Sequence, residues 1–290
     1  MARKPKRITR TLFEENYYER VLKQDEYALP YPMTVKRFNN HYAKLFGGYE
    51  TCIFDDILDL EPNMYYGART IASGPLVVQV SGKRPRDLSR VQRFDFPEWI
   101  ENDAIGFLSA KAKGILIVEH SSVFGILRRS KEFRSLSLIL ICGVGIPRIQ
   151  TRRILHRLST ELKLPVYLLS DNTTWTYFMF SVLKRGLMAP HAESPYLAVK
   201  NLRYLGLRAG ENAKFVSDKK LIPWKPHWTL RIKALRKYKC FAKAPWQKEF
   251  DRFVAQQFAV YLLPFRAARG VENFVTDWLR PKIENRDWLT

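Results

Sequence analysis

Three short aliphatic runs dominate the middle of the chain. Gly114-Ile115-Leu116-Ile117-Val118 stops at Glu119, Leu136 to Cys142 stops at Gly143, and Pro165-Val166-Tyr167-Leu168-Leu169 stops at Ser170-Asp171. None of them alternates between apolar and polar positions. Unbroken runs of this length predict parallel strands covered on both faces. Between the second and third runs, Thr151 to Leu162 sets Ile154, Leu155, Leu158 and Leu162 at helical spacing. The result is a strand–helix–strand unit, whose crossover in one sheet is right-handed. Alternation of strand and helix over residues 111–210 therefore predicts an α/β fold with a parallel sheet flanked by helices.

The flanks read differently. Residues 8–80 mix short helical patterns and close on a strand-like Gly74 to Val80. Gly82-Lys83-Arg84-Pro85-Arg86 then reads as a basic turn or linker. Residues 211–290 are rich in Lys, Arg and Trp. They predict a helix over Gln247–Leu263 and a terminal segment anchored by Phe274, Trp278 and Leu279. This divides the chain into a basic arm and N-terminal domain over 1–80, and an α/β domain with C-terminal helical decoration over 81–290.

Charge narrows the function. Lys and Arg number 49 against 28 Asp and Glu, a net charge of +21. Such self-repulsion points to a polyanionic partner, and nucleic acid is the first candidate. Anionic membrane is the alternative, but no run of 18 apolar residues exists to span one. The N-terminal Met1-Ala2-Arg3-Lys4-Pro5-Lys6-Arg7 lacks the apolar stretch of a signal peptide and reads as a phosphate-touching arm. Cys52, Cys142 and Cys240 lie too far apart for a zinc motif or a disulfide framework, which fits a reducing intracellular compartment. No Walker-type glycine loop is present, so ATP hydrolysis by this chain is not expected.

Glu119 and Asp171 each follow a strand directly. Ligands of open parallel sheets gather at the carboxyl ends of strands, and two carboxylates there make a hard, oxygen-rich site suited to Mg²⁺. The bland alternative is a pair of strand-end carboxylates that cap a helix or pair with an Arg. Gly143-Val144-Gly145-Ile146-Pro147, followed by Thr151-Arg152-Arg153, reads either as a phosphate-approaching loop with an Arg pair or as a plain tight turn. His120 is either a phosphate contact or a partly buried neutral histidine. Trp224, Trp228 and Trp246, interleaved with Lys225, Arg231, Lys233, Arg236 and Lys237, form either a stacking surface for nucleic acid or a core whose lysines face water. Ser121-Ser122 has no base and acid to complete a hydrolase triad.

Taken in order, these motifs resemble the family of the topoisomerase VI DNA-cleaving subunit and Spo11. Ile115 to Phe124 is similar to the first motif of its Toprim domain, an aliphatic strand ending in Glu. Gly143 to Pro147 with Thr151-Arg152-Arg153 resembles its Gly-x-Gly-x-Pro loop and following Thr-Arg. Pro165 to Asp171 resembles the strand into its Asp-x-Asp, and Lys184 with Gly186 its Lys-x-Gly. Leu202-Arg203-Tyr204-Leu205-Gly206-Leu207 and Trp278-Leu279-Arg280-Pro281-Lys282-Ile283 resemble two later segments. The resemblance implies a small winged-helix domain before the Toprim domain and a homodimer with a basic channel for double-stranded DNA. It also implies Mg²⁺ on Glu119 and Asp171, with Lys36, Arg37, Arg152 and Arg153 on DNA. In that family a tyrosine of one protomer attacks the phosphodiester beside the metal of the other.

The chain departs from the pattern in three places. Asp-x-Asp becomes Asp171-Asn172-Thr173, which removes one carboxylate. Counting from Arg37 puts His41 in the nucleophile slot, and a slip of one residue restores Tyr42. Tyr17-Tyr18 is the other early pair, and a chain without a nucleophile is the remaining reading. The family segment that helps hold a B-type ATPase partner has no counterpart before the expected winged helix, which makes that partner doubtful and resembles short stand-alone members.

Overall fold

A computed structural model describes residues 70–96, 105–143, 149–185, 197–211 and 220–290. Its centre is a six-stranded sheet built from β1 (Ile71–Ser73), β4 (Phe94–Asp95), β6 (Gly114–Val118), β7 (Leu138–Cys142), β8 (Val166–Leu169) and β9 (Leu202–Gly206). The strands lie in the order β4-β1-β7-β6-β8-β9. β7, β6, β8 and β9 run parallel, while β1 lies antiparallel to β7 and β4 antiparallel to β1. β1 thus joins this sheet from the N-terminal side of the boundary expected at residue 80. The expected winged-helix domain otherwise falls on residues outside the described set.

Both faces of the sheet are covered, which is why its strands read as continuous apolar runs. Ile115, Ile117, Ile139, Ile141, Val166 and Leu168 enter one core, while Leu116, Val118, Leu140, Cys142, Tyr167 and Leu169 enter the other. The first core receives helices α3 (Ile149–Glu161) and α4 (Thr174–Arg185), with Ile154, Leu155 and Leu158 at the predicted spacing. The second receives α1 (Ser121–Leu127) and α2 (Lys131–Arg134). β2 (Leu76–Val80), β3 (Arg86–Asp87) and β5 (Ile105–Ala110) form a smaller antiparallel sheet, and the basic stretch at 82–86 is its turn.

The C-terminal region contains α5 (Pro226–Leu235), α6 (Ala244–Gln256) and α7 (Leu262–Arg269), followed by a π-helical stretch, Phe274–Leu279. The helix expected over Gln247–Leu263 is therefore two elements. Gln257 takes a left-handed conformation (φ 55°, ψ 24°) that ends α6. The apolar residues beyond it then make β11 (Phe258–Ala259), which pairs with β10 (Ile222–Pro223), and start α7. Apolar periodicity continues through this break and so hides it. Of the two readings of the tryptophans, the core one holds: Trp246 is fully buried, Trp228 nearly so, and Trp224 packs edge-on against Trp228.

β9 forms one rim of the sheet, and the residues near position 290 seal it. Tyr204 and Leu289 exchange both backbone hydrogen bonds, at 2.8 and 2.9 Å. The Trp246 Nε1–H donates to the Thr290 carbonyl at 3.2 Å. Lys282, in the segment Arg280–Glu284, is buried against Glu211 and Asp287, which Arg208 also engages.

Candidate metal centre

Strand register aligns the site. Val118 pairs with Cys142 on one side and Leu169 on the other, so three strands end level. Glu119 and His120 leave β6 at that rim, and Asp171 leaves β8 beside them. One potential ligand atom each from Glu119, His120 and Asp171 lies within 4.8 Å of the others. His120 Nε2 is 3.0 Å from Asp171 Oδ2. Asp171 Oδ1 accepts the Leu262 backbone N–H at 2.7 Å, at the start of α7. A carboxylate at a helix N-terminus satisfies an otherwise unpartnered donor and faces the positive end of the helix dipole.

Burial sets the electrostatics. Glu119 is 8% exposed and Asp171 3%. Burial, then the charge of Asp171, pushes the Glu119 carboxyl up to about 7, while His120, the Asp171 N–H and the Thr176 hydroxyl act the other way. The hydrogen bond to Asp171 raises the His120 imidazole, and burial opposes it. Glu119 Oε2 is buried and has no hydrogen-bond partner among the described residues. Such an oxygen costs free energy unless something satisfies it. Two carboxylates and an imidazole fit a small divalent cation, Mg²⁺ or Mn²⁺ by their oxygens, with the imidazole extending the range to transition metals.

A buried polar network holds Asp171 in place. The next residue, Asn172, donates from Nδ2 to the Tyr177 hydroxyl at 2.9 Å and accepts from Gln256 Nε2 at 2.7 Å. Tyr177 donates to Glu249 Oε1 at 2.7 Å, which also accepts the Ala209 N–H at 2.8 Å. Burial raises both the Glu249 carboxyl and the Tyr177 phenol above their ordinary values. The network ties the end of β8 to α4, to α6 and to the chain after β9.

The remaining expected residues have varied fates. Thr173, in the position of the missing acid, caps α4: its Oγ1 accepts the Thr176 N–H at 3.2 Å. Gly143 serves packing, since a Cβ there would lie 2.8 Å from Thr151 Cγ2; residues 144–148 of that loop are outside the described set. Arg152 is buried, at 2% exposure, and Arg153 is half-buried, so only Arg153 offers surface. Lys184 donates to the Leu202 carbonyl at 2.8 Å, bracing α4 on β9. Lys36, Arg37, His41, Tyr42, Tyr17 and Tyr18 all lie outside the described residues. Sequence reasoning did not anticipate His120 as a ligand, although its place next to Glu119 was a usable signal. The Leu262 N–H has no sequence signature, because a backbone donor is anonymous.

Comparison with known proteins bears on this site. Residues 114–283 match the Toprim domain of the family that unites the topoisomerase 6 DNA-cleaving subunit with Spo11. The corresponding subunit of the type 2 DNA topoisomerase 6 of Saccharolobus shibatae is 29% identical over 80% of this chain and 60% of its own length. That of Hyperthermus butylicus is 30% identical with the same coverage. The meiotic recombination protein SPO11-2 of Arabidopsis thaliana is 28% identical over 55% of this chain and 42% of its own. The chain thus spans about 60% of the length of these two topoisomerase subunits.

Proposed function

Because the chain belongs to the family of the topoisomerase VI DNA-cleaving subunit and Spo11, we propose that it is a Mg²⁺-dependent DNA-breaking transesterase acting on double-stranded DNA as a homodimer. The observation that carries this reading is the Glu119–His120–Asp171 group at the carboxyl rim of the parallel sheet, within the region that matches the family. The net charge of +21 supports a DNA partner.

Glu119 and Asp171 would hold the cation, with His120 as third ligand or as the group that orients Asp171. Bound there, Mg²⁺ neutralises phosphate charge and steadies the leaving oxygen. The nucleophile proposed by resemblance is Tyr42, beside the DNA-binding Lys36 and Arg37. Its phenolic oxygen forms a bond to phosphorus as the bond to the 3′-oxygen breaks, and the proton passes to that oxygen. The resulting 5′-phosphotyrosyl ester keeps the energy of the broken phosphodiester, so attack by the 3′-hydroxyl reseals the strand. Arg153 and the N-terminal arm add phosphate contacts. A B-type ATPase partner is not part of the proposal.

Thr173 favours a second reading, a DNA-binding relative that no longer cleaves, since one family acid is replaced there. Capture of denaturant-resistant protein–DNA adducts in Mg²⁺ separates the two. Cleavage predicts adducts in the wild type that vanish in Tyr42→Phe and Glu119→Ala. Adducts that survive Tyr42→Phe would remove Tyr42 as nucleophile. Salt-sensitive DNA binding without adducts under any divalent cation would establish the non-cleaving reading.

A further inference from the structure

The opposite end of the same sheet carries a second polar feature. A cleft of about 380 Å³ opens where β1 turns at Gly74 beside the amino end of β7. Arg90, Arg128, Arg129 and Arg134 line it, and among the described residues no acidic side chain does. Its floor is apolar, with Val91, Phe133 and Leu138. Gly74 makes the shape possible: at φ +117° it brings β1 so close that a Cβ would sit 2.6 Å from the Leu138 carbonyl oxygen.

We propose that this cleft binds a nucleotide-sized, phosphate-bearing group. Four guanidinium groups on one small cavity repel each other, and the local counter-charge is thin. Arg90 meets Asp87 at 3.4 Å as an exposed pair, and Arg128 donates to the neutral Gln92 side chain at 3.2 Å. Arg134 reaches the Arg129 carbonyl at 3.4 Å, a contact that leaves both charges uncompensated. Guanidinium forks match the geometry of phosphate oxygens, and the apolar floor accommodates a base or sugar. The volume falls in the range of small-ligand pockets, too small for the groove of a duplex. β7 separates the cleft from the metal rim, and its residues Leu138–Cys142 span about 13 Å at the usual rise per residue. One ligand group in the cleft therefore does not also touch Glu119 and Asp171, and the inference stands apart from the cleavage proposal.

The phosphate has two possible sources, a free nucleotide or the phosphorylated end of a nucleic-acid strand. Calorimetry on the full chain distinguishes them, using ATP, tripolyphosphate, adenosine, and a short single strand with and without a 5′-phosphate. The proposal expects saturable binding of either ATP and tripolyphosphate or the phosphorylated strand, with adenosine at least about tenfold weaker. Arg129→Ala/Arg134→Ala should weaken that binding by about tenfold or more, and Glu119→Ala/Asp171→Asn should leave it within about twofold. Lys233→Ala/Lys237→Ala, on exposed positions elsewhere, removes the same charge and serves as control. A preference for the 5′-phosphorylated strand over its dephosphorylated twin assigns the strand end, and ATP binding without that preference assigns the free nucleotide. Absence of saturable binding by every phosphate ligand overturns the proposal. An equal loss in the Lys233/Lys237 control overturns it too, since net charge alone would then explain the binding.

Discussion

Leu262 donates its backbone N–H to Oδ1 of Asp171 at 2.7 Å, so a carboxylate of the candidate metal centre is also the first-turn partner of α7. The two roles separate by substitution. Asp171→Asn keeps an acceptor for Leu262 and removes the charge. It should leave thermal stability nearly unchanged while abolishing divalent-cation binding by calorimetry. Asp171→Ala loses both, and should cost about 1 kcal/mol of stability as well, the usual worth of a cap. Equal cation affinity in Asp171→Asn and wild type would remove Asp171 from the ligand set.

The Glu119 carboxyl, raised to about 7 from an ordinary 4.5, makes cation binding a proton-releasing event. Apparent Mg²⁺ affinity should rise by about tenfold per pH unit below 7 and level off above it. Without cations the sign for folding is opposite. Between 4.5 and 7 the native state holds a proton that the unfolded chain has lost, so stability falls as pH rises through that window. His120, also raised, adds to the same slope. Urea titrations with and without Mg²⁺ test this, and a cation-free stability that climbs from pH 5 to 7 would contradict the direction for Glu119.

Thr173 occupies the place of an acid and performs a cap that Asp performs equally well. Thr173→Asp should therefore fold with unchanged stability and bind Mg²⁺ more tightly, whereas Thr173→Ala should lose about 1 kcal/mol with little change in cation affinity. The pair of measurements distinguishes a lost ligand from a position that only starts α4.

Tyr177→Phe removes the hydroxyl between Asn172 and Glu249. Two buried groups are left short of a partner, at a cost of about 1–3 kcal/mol. Because Asn172 adjoins Asp171, cation affinity should fall together with stability. A destabilised variant with wild-type affinity would show that the network supports the core without steering the site.

Much of this was legible in the sequence for one physical reason. Parallel strands buried on both faces cannot hide, so β6, β7 and β8 stand out as aliphatic runs, and the acids that end them mark the rim. The break at Gln257 was not legible, because apolar residues run on through the α6–β11–α7 transition and only a left-handed backbone marks it. The tryptophans allowed two readings, since interleaved cations look alike whether the rings between them face water or other rings. Arg152 illustrates the same limit: its charge was visible and its burial was not. His120 was weighed alone, although the register that sets it against Asp171 joins residues 51 positions apart.

The pairing of Tyr204 with Leu289 bears on how copies of this chain can meet. A strand rim with its hydrogen-bonding row vacant invites a foreign strand to add itself. At β9 that row is already engaged around Tyr204, so strand addition at this point requires Leu289 to be peeled away first. The other rim ends in β4, only two residues long, which is a poor template. A basic chain that concentrates along DNA thus has, in this sheet, little surface on which to polymerise by edge-to-edge growth.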